Sequence, residues 1–228
     1  MKKVSIVIPA LNEEEGIGKT IQAVPTHELD KMGYEVQILV VDNGSEDRTA
    51  ELARKAGAEV VFEPRQGYGR AYKTGFANAS GDIIATADAD ATYPVEDIPK
   101  LVKILEEEKL DFLTTNRFAM MEKGAMSSRN KMGNAILSLT MRLLFGLNIK
   151  DSQSGMWVFR SSVLGEAKLH ANGMPLSEEL KLEACYFLKR RWKEVPILFR
   201  GRIGEAKIRA WKDGFQNLFY LVRKRFSR

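Results

Sequence analysis

Short apolar runs alternate with helix-compatible stretches through the first half of the chain. Val4-Ser5-Ile6-Val7-Ile8 is the first such run; it stops at Pro9, and a helix is expected from about Glu13 to Ala23. Residues 37–41 form a second run, ending at Asp42-Asn43-Gly44. Ser45 then reads as the N-cap of a helix over 47–56, with Gly57 as its stop. Residues 59–62 predict a third strand, followed by a helix over 68–78. Residues 82–87 predict a fourth strand, ending at Asp88-Ala89-Asp90; Pro94 opens a helix that 99–109 continues, and 111–115 is the next strand. This alternation predicts an α/β fold, a mostly parallel Rossmann-like sheet flanked by helices. Ligands in such sheets bind beyond the carboxyl ends of the strands. The polar clusters after Ile8, Val41 and Ala87 are therefore expected to converge on one rim.

The second half is less regular. Residues 132–147 read as a helix, 156–159 as a short strand and 177–188 as another helix. From Trp211 onward, Trp211, Phe215, Leu218, Phe219, Val222 and Phe226 recur at helical spacing, flanked by Arg223, Lys224, Arg225 and Arg228. A basic amphipathic helix of this kind suits an anionic lipid surface; packing on the core or on a partner subunit is the competing reading. The expected organisation is one catalytic domain over 1–210 and this tail over 211–228.

Composition adds limits. With 228 residues, 44% hydrophobic and 29% charged, the chain reads as globular. A net charge of +5 favours anionic partners such as phosphorylated substrates or acidic lipid. The charge is dispersed and no nucleic-acid recognition motif accompanies it, so no nucleic-acid partner is expected. The stretch 132–147 is broken by Arg142 and falls short of the roughly 20 apolar residues a bilayer span needs. The start, Met1-Lys2-Lys3, lacks the features of a signal peptide. The lone Cys185 reads as a buried thiol in a reducing, cytoplasmic compartment.

The sharpest chemical signal is Asp88-Ala89-Asp90. In an extended chain residues i and i+2 point to the same side, so two carboxylates at the end of a buried strand repel unless a cation joins them. Mg²⁺ or Mn²⁺ suits such oxygen ligands together with substrate phosphates; a solvated acidic turn is the bland alternative. Gly67-Tyr68-Gly69 is not a dinucleotide fingerprint, because the third glycine is missing.

Four motifs in order resemble the family 2 glycosyltransferases of the GT-A fold. They are residues 5–13 (Ser-Ile-Val-Ile-Pro-Ala-Leu-Asn-Glu), 40–49 (Val-Val-Asp-Asn-Gly-Ser-Glu-Asp-Arg-Thr), Gly67-Tyr68-Gly69-Arg70-Ala71 with Gly75, and Asp88-Ala89-Asp90. The resemblance implies a nucleotide-sugar donor held by Pro9, Ala10, Asn12, Glu13, Asp42, Gly69, Arg70, Asp88, Ala89 and Asp90, with Asp42 reading the nucleobase and Asp88 and Asp90 holding the metal. Asn116-Arg117-Phe118, Ser128-Arg129-Asn130, residues 151–155 (Asp-Ser-Gln-Ser-Gly) and 202–207 (Arg-Ile-Gly-Glu-Ala-Lys) are similar to the subgroup that glycosylates dolichyl and other polyprenyl phosphates. That likeness implies Arg117, Arg129, Ser154, Arg202 and Lys207 around the acceptor phosphate, with Asp90, Arg117 and Arg129 at the reaction centre. Taken singly, each arginine reads as a surface charge.

Thr92 stands where dolichyl-phosphate mannose synthases often carry a glutamine, and this tilts the expected donor towards a UDP-sugar over GDP-mannose. The expected enzyme is a metal-dependent inverting hexosyltransferase, peripheral at the cytoplasmic membrane face. A hydroxyl acceptor would instead require a base, with Asp151, Glu178 or Glu179 as candidates; a nucleotide-sugar or lipid-phosphate binding protein is the non-enzymatic alternative.

Overall fold

The computed structural model describes residues 1–204 and 210–226. Lys207, Ser227, Arg228 and the side chain of Trp211 lie outside the described set.

Seven strands form one sheet in the order β3-β2-β1-β4-β6-β5-β7. They are β1 (Lys2–Ala10), β2 (Tyr34–Asp42), β3 (Glu59–Phe62), β4 (Ile83–Thr86), β5 (Phe112–Met121), β6 (Trp157–Arg160) and β7 (Trp192–Phe199). β1 to β4 run parallel, β7 runs parallel to β5, and β6 alone is antiparallel to both neighbours. The helices are α1 (Ile17–Gln22), α2 (Thr26–Lys31), α3 (Thr49–Lys55), α4 (Tyr68–Asn78), α5 (Ile98–Glu107), α6 (Ser128–Phe145), α7 (Ser162–Glu166), α8 (Leu176–Lys181) and α9 (Ala210–Phe226).

The period-2 alternation of β1 divides the core. Val4, Ile6 and Ile8 face one layer with Ile17, Leu29, Ala53, Leu101 and Leu105. Val7 faces the other, with Tyr72, Phe76, Leu137, Met141, Trp157 and Leu180. Gly75 permits this second layer, because a Cβ there would stand 2.4 Å from Val7 Cγ1 and 3.0 Å from Val41 Cγ2.

Several local expectations are corrected. The helix after β1 begins at Ile17 rather than Glu13, since residues 11–16 are used to shape the rim. Ser45 does not cap the next helix; its Oγ accepts from Asn12 N, and the helix starts at Thr49, whose N–H donates to Asp47 Oδ1. The predicted helix over 177–188 is α8 followed by a π-helical segment, Leu182–Phe187. β7 was not anticipated, because Pro196 lies within it; as an edge strand it tolerates a residue that donates no ladder bond. Ser127 caps α6 by accepting from Asn130 N, and Gly146 ends that helix with φ 68°.

Candidate active site

The three polar clusters meet at the carboxyl ends of β1, β2 and β4. β1 and β2 end level, with Ala10 opposite Asp42. Asn12 N donates to Ser45 Oγ, and Asn12 Oδ1 accepts from Glu46 N, so the two loops are stitched together. Asn12 has φ 52°, a left-handed conformation that asparagine tolerates better than most residues. Asp42 is buried and its Oδ1 accepts from Ser45 N.

α1 fixes the Asp88–Asp90 turn from the other side. Gly16 brings it close, since a Cβ there would stand 2.7 Å from Ala89 O. Thr20 Oγ1 donates to Ala89 O at 3.1 Å and accepts from Ala91 N at 3.1 Å. These two bonds hold Ala91 at φ 60°, a conformation that is costly for alanine.

The two aspartates differ. Asp90 Oδ1 accepts from Thr92 N at 3.1 Å and from Thr92 Oγ1 at 2.7 Å, and Oδ2 accepts from Arg202 Nη1 at 2.7 Å. Thr92 therefore orients Asp90. Arg202 Nη2 also donates to Glu13, so this guanidinium bridges two carboxylates. Backbone bonds from Arg200 N to Thr92 O and from Ile203 N to Asp90 O dock the 200–203 segment on the same turn. Asp88, half-buried, receives no hydrogen bond from any described residue. Burial, then the neighbouring Asp90 charge, pushes its carboxyl well above the usual range, opposed by Arg117 and Arg202. A divalent cation would relieve that repulsion. Among the described residues no group of three or more His, Cys, Asp or Glu assembles, so the protein would supply two carboxylates and the donor phosphates would complete the shell.

The 151–155 loop faces Asp88. A Cβ on Gly155 would stand 2.8 Å from the Tyr68 hydroxyl and 3.6 Å from Asp88 Oδ1, and Gly155 N donates to the Tyr93 hydroxyl at 2.7 Å. Arg117, 8% exposed, pairs with fully buried Asp151: Nε to Oδ2 is 2.7 Å and Nη2 to Oδ1 is 2.8 Å. Burial opposes both charges, but each partner overcomes it, holding the carboxyl low and the guanidinium high. Ser154 is buried and its Oγ lies 2.6 Å from Thr115 Oγ1.

Lys181 was missed in the sequence. It is fully buried; Nζ donates to Ser152 O at 2.8 Å, Ser154 O at 2.7 Å and Ser177 Oγ at 2.9 Å, over the Trp157 ring. It ties α8 to the loop, and burial pushes its ammonium down to about 7. In the sequence it stands between Glu178-Glu179 and Glu183, which reads as a solvated helical face.

The structure thus gathers Asn12, Glu13, Asp42, Asp88, Asp90 and Arg202 at one rim, with Arg117 and Ser154 on the adjoining side. Arg129 is not joined to them; it is exposed in the first turn of α6 and makes no ion pair with a described residue. Gly67 and Gly69 have an internal reason to be glycine, since a Cβ on either would stand 2.4 Å from the carbonyl of Asn172 or Ala171 respectively. Arg70 N donates to the same Asn172 carbonyl.

Residues 5–167 match the profile of Glycosyl transferase family 2. A low-salt glycan biosynthesis hexosyltransferase of Haloferax volcanii is 33% identical over 220 residues, 96% of this chain and 52% of that protein. The chain thus spans about half the length of that relative. The dolichyl-phosphate hexose transferase of the same organism is 31% identical over 212 residues, 92% of this chain and 88% of that protein. Among solved structures, glucosyl-3-phosphoglycerate synthase of Mycobacterium tuberculosis, in complex with Mn²⁺, UDP and glucosyl-3-phosphoglycerate, shares the fold at TM-score 0.76 and 22% identity, over 98% of this chain and 80% of that one. With the sheet order, the rim and the profile in agreement, the chain belongs to glycosyl transferase family 2.

Proposed function

We propose that this enzyme transfers a hexose from a nucleotide-sugar, a UDP-sugar in preference to GDP-mannose, to a polyprenyl phosphate, with inversion. The observation that carries this reading is the fate of the three base candidates. Asp151, Glu178 and Glu179 are 0–1% exposed. Asp151 is held by Arg117 and Glu179 accepts from His170 N and Ala171 N; Glu178 accepts from Gln153 Nε2 through one oxygen only, and burial pushes its carboxyl well above the ordinary range. A hydroxyl acceptor needs a base within reach. A phosphate monoester, with a second pKa of about 6, is already a nucleophile at neutral pH. The dolichyl-phosphate relative supports the same acceptor class.

In this reading Asp42 and Glu13 receive the nucleoside, and Asp88 and Asp90 would hold Mg²⁺ or Mn²⁺. Such an ion supplies charge neutralisation to the departing nucleotide. Arg117, Arg129, Ser154, Arg202 and Lys207 serve the acceptor side, where guanidinium forks match phosphate oxygens. An acceptor phosphate oxygen forms a bond to the anomeric carbon as the carbon–oxygen bond to the nucleoside diphosphate breaks.

Peripheral contact with the cytoplasmic face of a membrane is supported by two exposed apolar stripes. Met132, Ile136, Leu139 and Leu143 line α6, and Phe215, Phe219, Val222 and Phe226 line α9, the tail unit of the proposed organisation. No helix among the described residues is long and apolar enough to cross a membrane.

The test is product analysis. The purified chain is given UDP- or GDP-hexoses, Mg²⁺ or Mn²⁺, and either polyprenyl phosphate or saccharide acceptors. Lipid-linked sugar formed only with the phosphate is the expected result; a saccharide product with none on lipid would overturn the acceptor.

A further inference from the structure

The α6 helix carries two neighbouring stripes with different chemistry. Lys131, Ala135, Ser138 and Arg142 follow the i, i+4, i+7, i+11 spacing of one helical face. Met132, Ile136, Leu139 and Leu143 repeat that spacing one residue later, about 100° around the axis. The first stripe, joined by Met132 of the second, lines an open cleft of about 390 Å³ bounded on the other side by Phe118 and Lys150. The second stripe is exposed to solvent, from 47% at Leu139 to 76% at Leu143.

Three cations therefore face one cleft, and no described carboxylate pairs with Lys131, Arg142 or the Lys150 ammonium. The nearest candidate, Glu194, is engaged by the backbone N–H groups of Lys150 and Asp151. The Ser138 hydroxyl at the cleft floor is already committed, accepting from Ser152 N. Lys131 and Arg142 are separated by roughly 16 Å of helix. That span exceeds one phosphate, so the face is long enough to meet the headgroups of neighbouring lipids along the helix.

We propose that this cleft binds the headgroups of anionic bilayer phospholipids, in addition to the acceptor phosphate, while the neighbouring stripe meets the acyl region. The juxtaposition argues for an amphiphile: a soluble anion would answer the cations and leave the apolar stripe uncovered, and an apolar partner would leave three charges unanswered. This inference rests on the proposed membrane contact and adds lipid selectivity to it. The cleft adjoins the acceptor side of the glycosyl-transfer rim: Phe118 follows Arg117, Lys150 precedes Asp151, and Ser138 is bonded to Ser152 of the 151–155 loop.

The test is co-sedimentation of the full chain with vesicles of phosphatidylcholine alone, or with about a third phosphatidylglycerol, both lacking polyprenyl phosphate. Each basic residue at an anionic surface contributes about fivefold in affinity, so three give a preference of roughly 100-fold for the anionic vesicles. The Lys131→Gln/Arg142→Gln/Lys150→Gln variant should lower that preference by roughly 100-fold and keep the weaker binding to neutral vesicles. Lys131→Arg/Lys150→Arg should retain the preference, and Leu139→Ser/Leu143→Ser should weaken binding to both. All substituted side chains are exposed, so melting temperatures near wild type verify the fold.

Equal wild-type binding to the two vesicle types, or an undiminished preference in the triple Gln variant, overturns the headgroup site and leaves the membrane contact standing. No wild-type binding to either overturns both. Loss of the preference in millimolar inorganic phosphate at constant ionic strength would identify a site for free phosphate and also overturn the proposal.

Discussion

Arg117 and Asp151 offer a way to separate what a buried charge does for the fold from what it does for the reaction. Asp151→Asn is nearly isosteric, but it places an amide where Asp151 now receives both Arg117 Nε and Nη2, at 2.7 and 2.8 Å. Asp151 is fully buried and Arg117 is 8% exposed, so the orphaned guanidinium cannot turn to water without opening the loop. Breaking such a pair from one side costs about 3–5 kcal/mol. For a chain of this size that lowers the melting temperature by roughly 6–20 °C, at about 2–4 °C per kcal/mol. Arg117→Met alone should cost a similar amount, since it leaves a buried carboxylate. The double variant removes both charges, and its asparagine oxygen can still accept from the 117 backbone N–H, which donates to Asp151 at 3.0 Å. It should therefore recover about 2 kcal/mol or more relative to the sum of the singles. Urea titrations of the four proteins complete the cycle, and additive losses would refute the reasoning. In the restored double variant, glycosyl transfer should remain down by about 10²–10³, the effect of removing one charge-stabilising donor.

Three further outcomes follow from particular contacts. Asp88→Asn should abolish Mn²⁺ binding read by electron paramagnetic resonance while leaving the melting temperature at or above wild type, because the burial and Asp90 charge that raise its carboxyl then cease to oppose folding; tight Mn²⁺ binding in the variant would contradict the assignment. Gly75→Ala, which meets Val7 Cγ1 at 2.4 Å, should cost about 1–3 kcal/mol by overpacking, whereas Gly18→Ala, with nothing within 4 Å, should gain about 0.5–1 kcal/mol of helix stability, both read as urea midpoints. Glu106 is held down to about 2, first by Arg160, then by Lys2, with Tyr34 adding a bond. Its contribution is complete above its unfolded value of about 4.3 and is lost as pH falls towards 2, so Glu106→Gln should flatten the stability curve in that window and nowhere else.

The sheet and its rim were legible because their signals are local: β-rich runs, stops at Pro9 and Asp42, and polar clusters placed by the strand rule. β7 was hidden by Pro196, whose missing donor argues against a strand except at an edge, and edge position is a tertiary fact. Lys181 was hidden for a related reason. Its neighbours 178, 179 and 183 are acidic, and only the packed structure reveals three oxygen acceptors converging on its ammonium. Gly69, expected among the donor-holding residues, lies against the Ala171 carbonyl and Gly67 against that of Asn172, a hundred residues on. Arg202, expected around the acceptor phosphate, is paired with Asp90 and Glu13.

The two aspartates of the motif, equivalent in sequence, occupy unequal positions in the fold. Asp90 is spent on structure as well as chemistry: Thr92 fixes one oxygen and Arg202 takes the other, while Arg200 and Ile203 bind the backbone beside it. A cation reaching Asp90 Oδ2 meets the Arg202 guanidinium, itself shared with Glu13 on the donor side. Asp88 has no such support and carries the strain of burial beside a like charge. One carboxylate is therefore positioned by its neighbours and the other is held in an unfavourable state by them. The pair joins the strand-end loops to the 200–203 segment through Asp90 and leaves Asp88, facing Gly155 and Tyr68, as the group whose environment would improve most when a cation arrives.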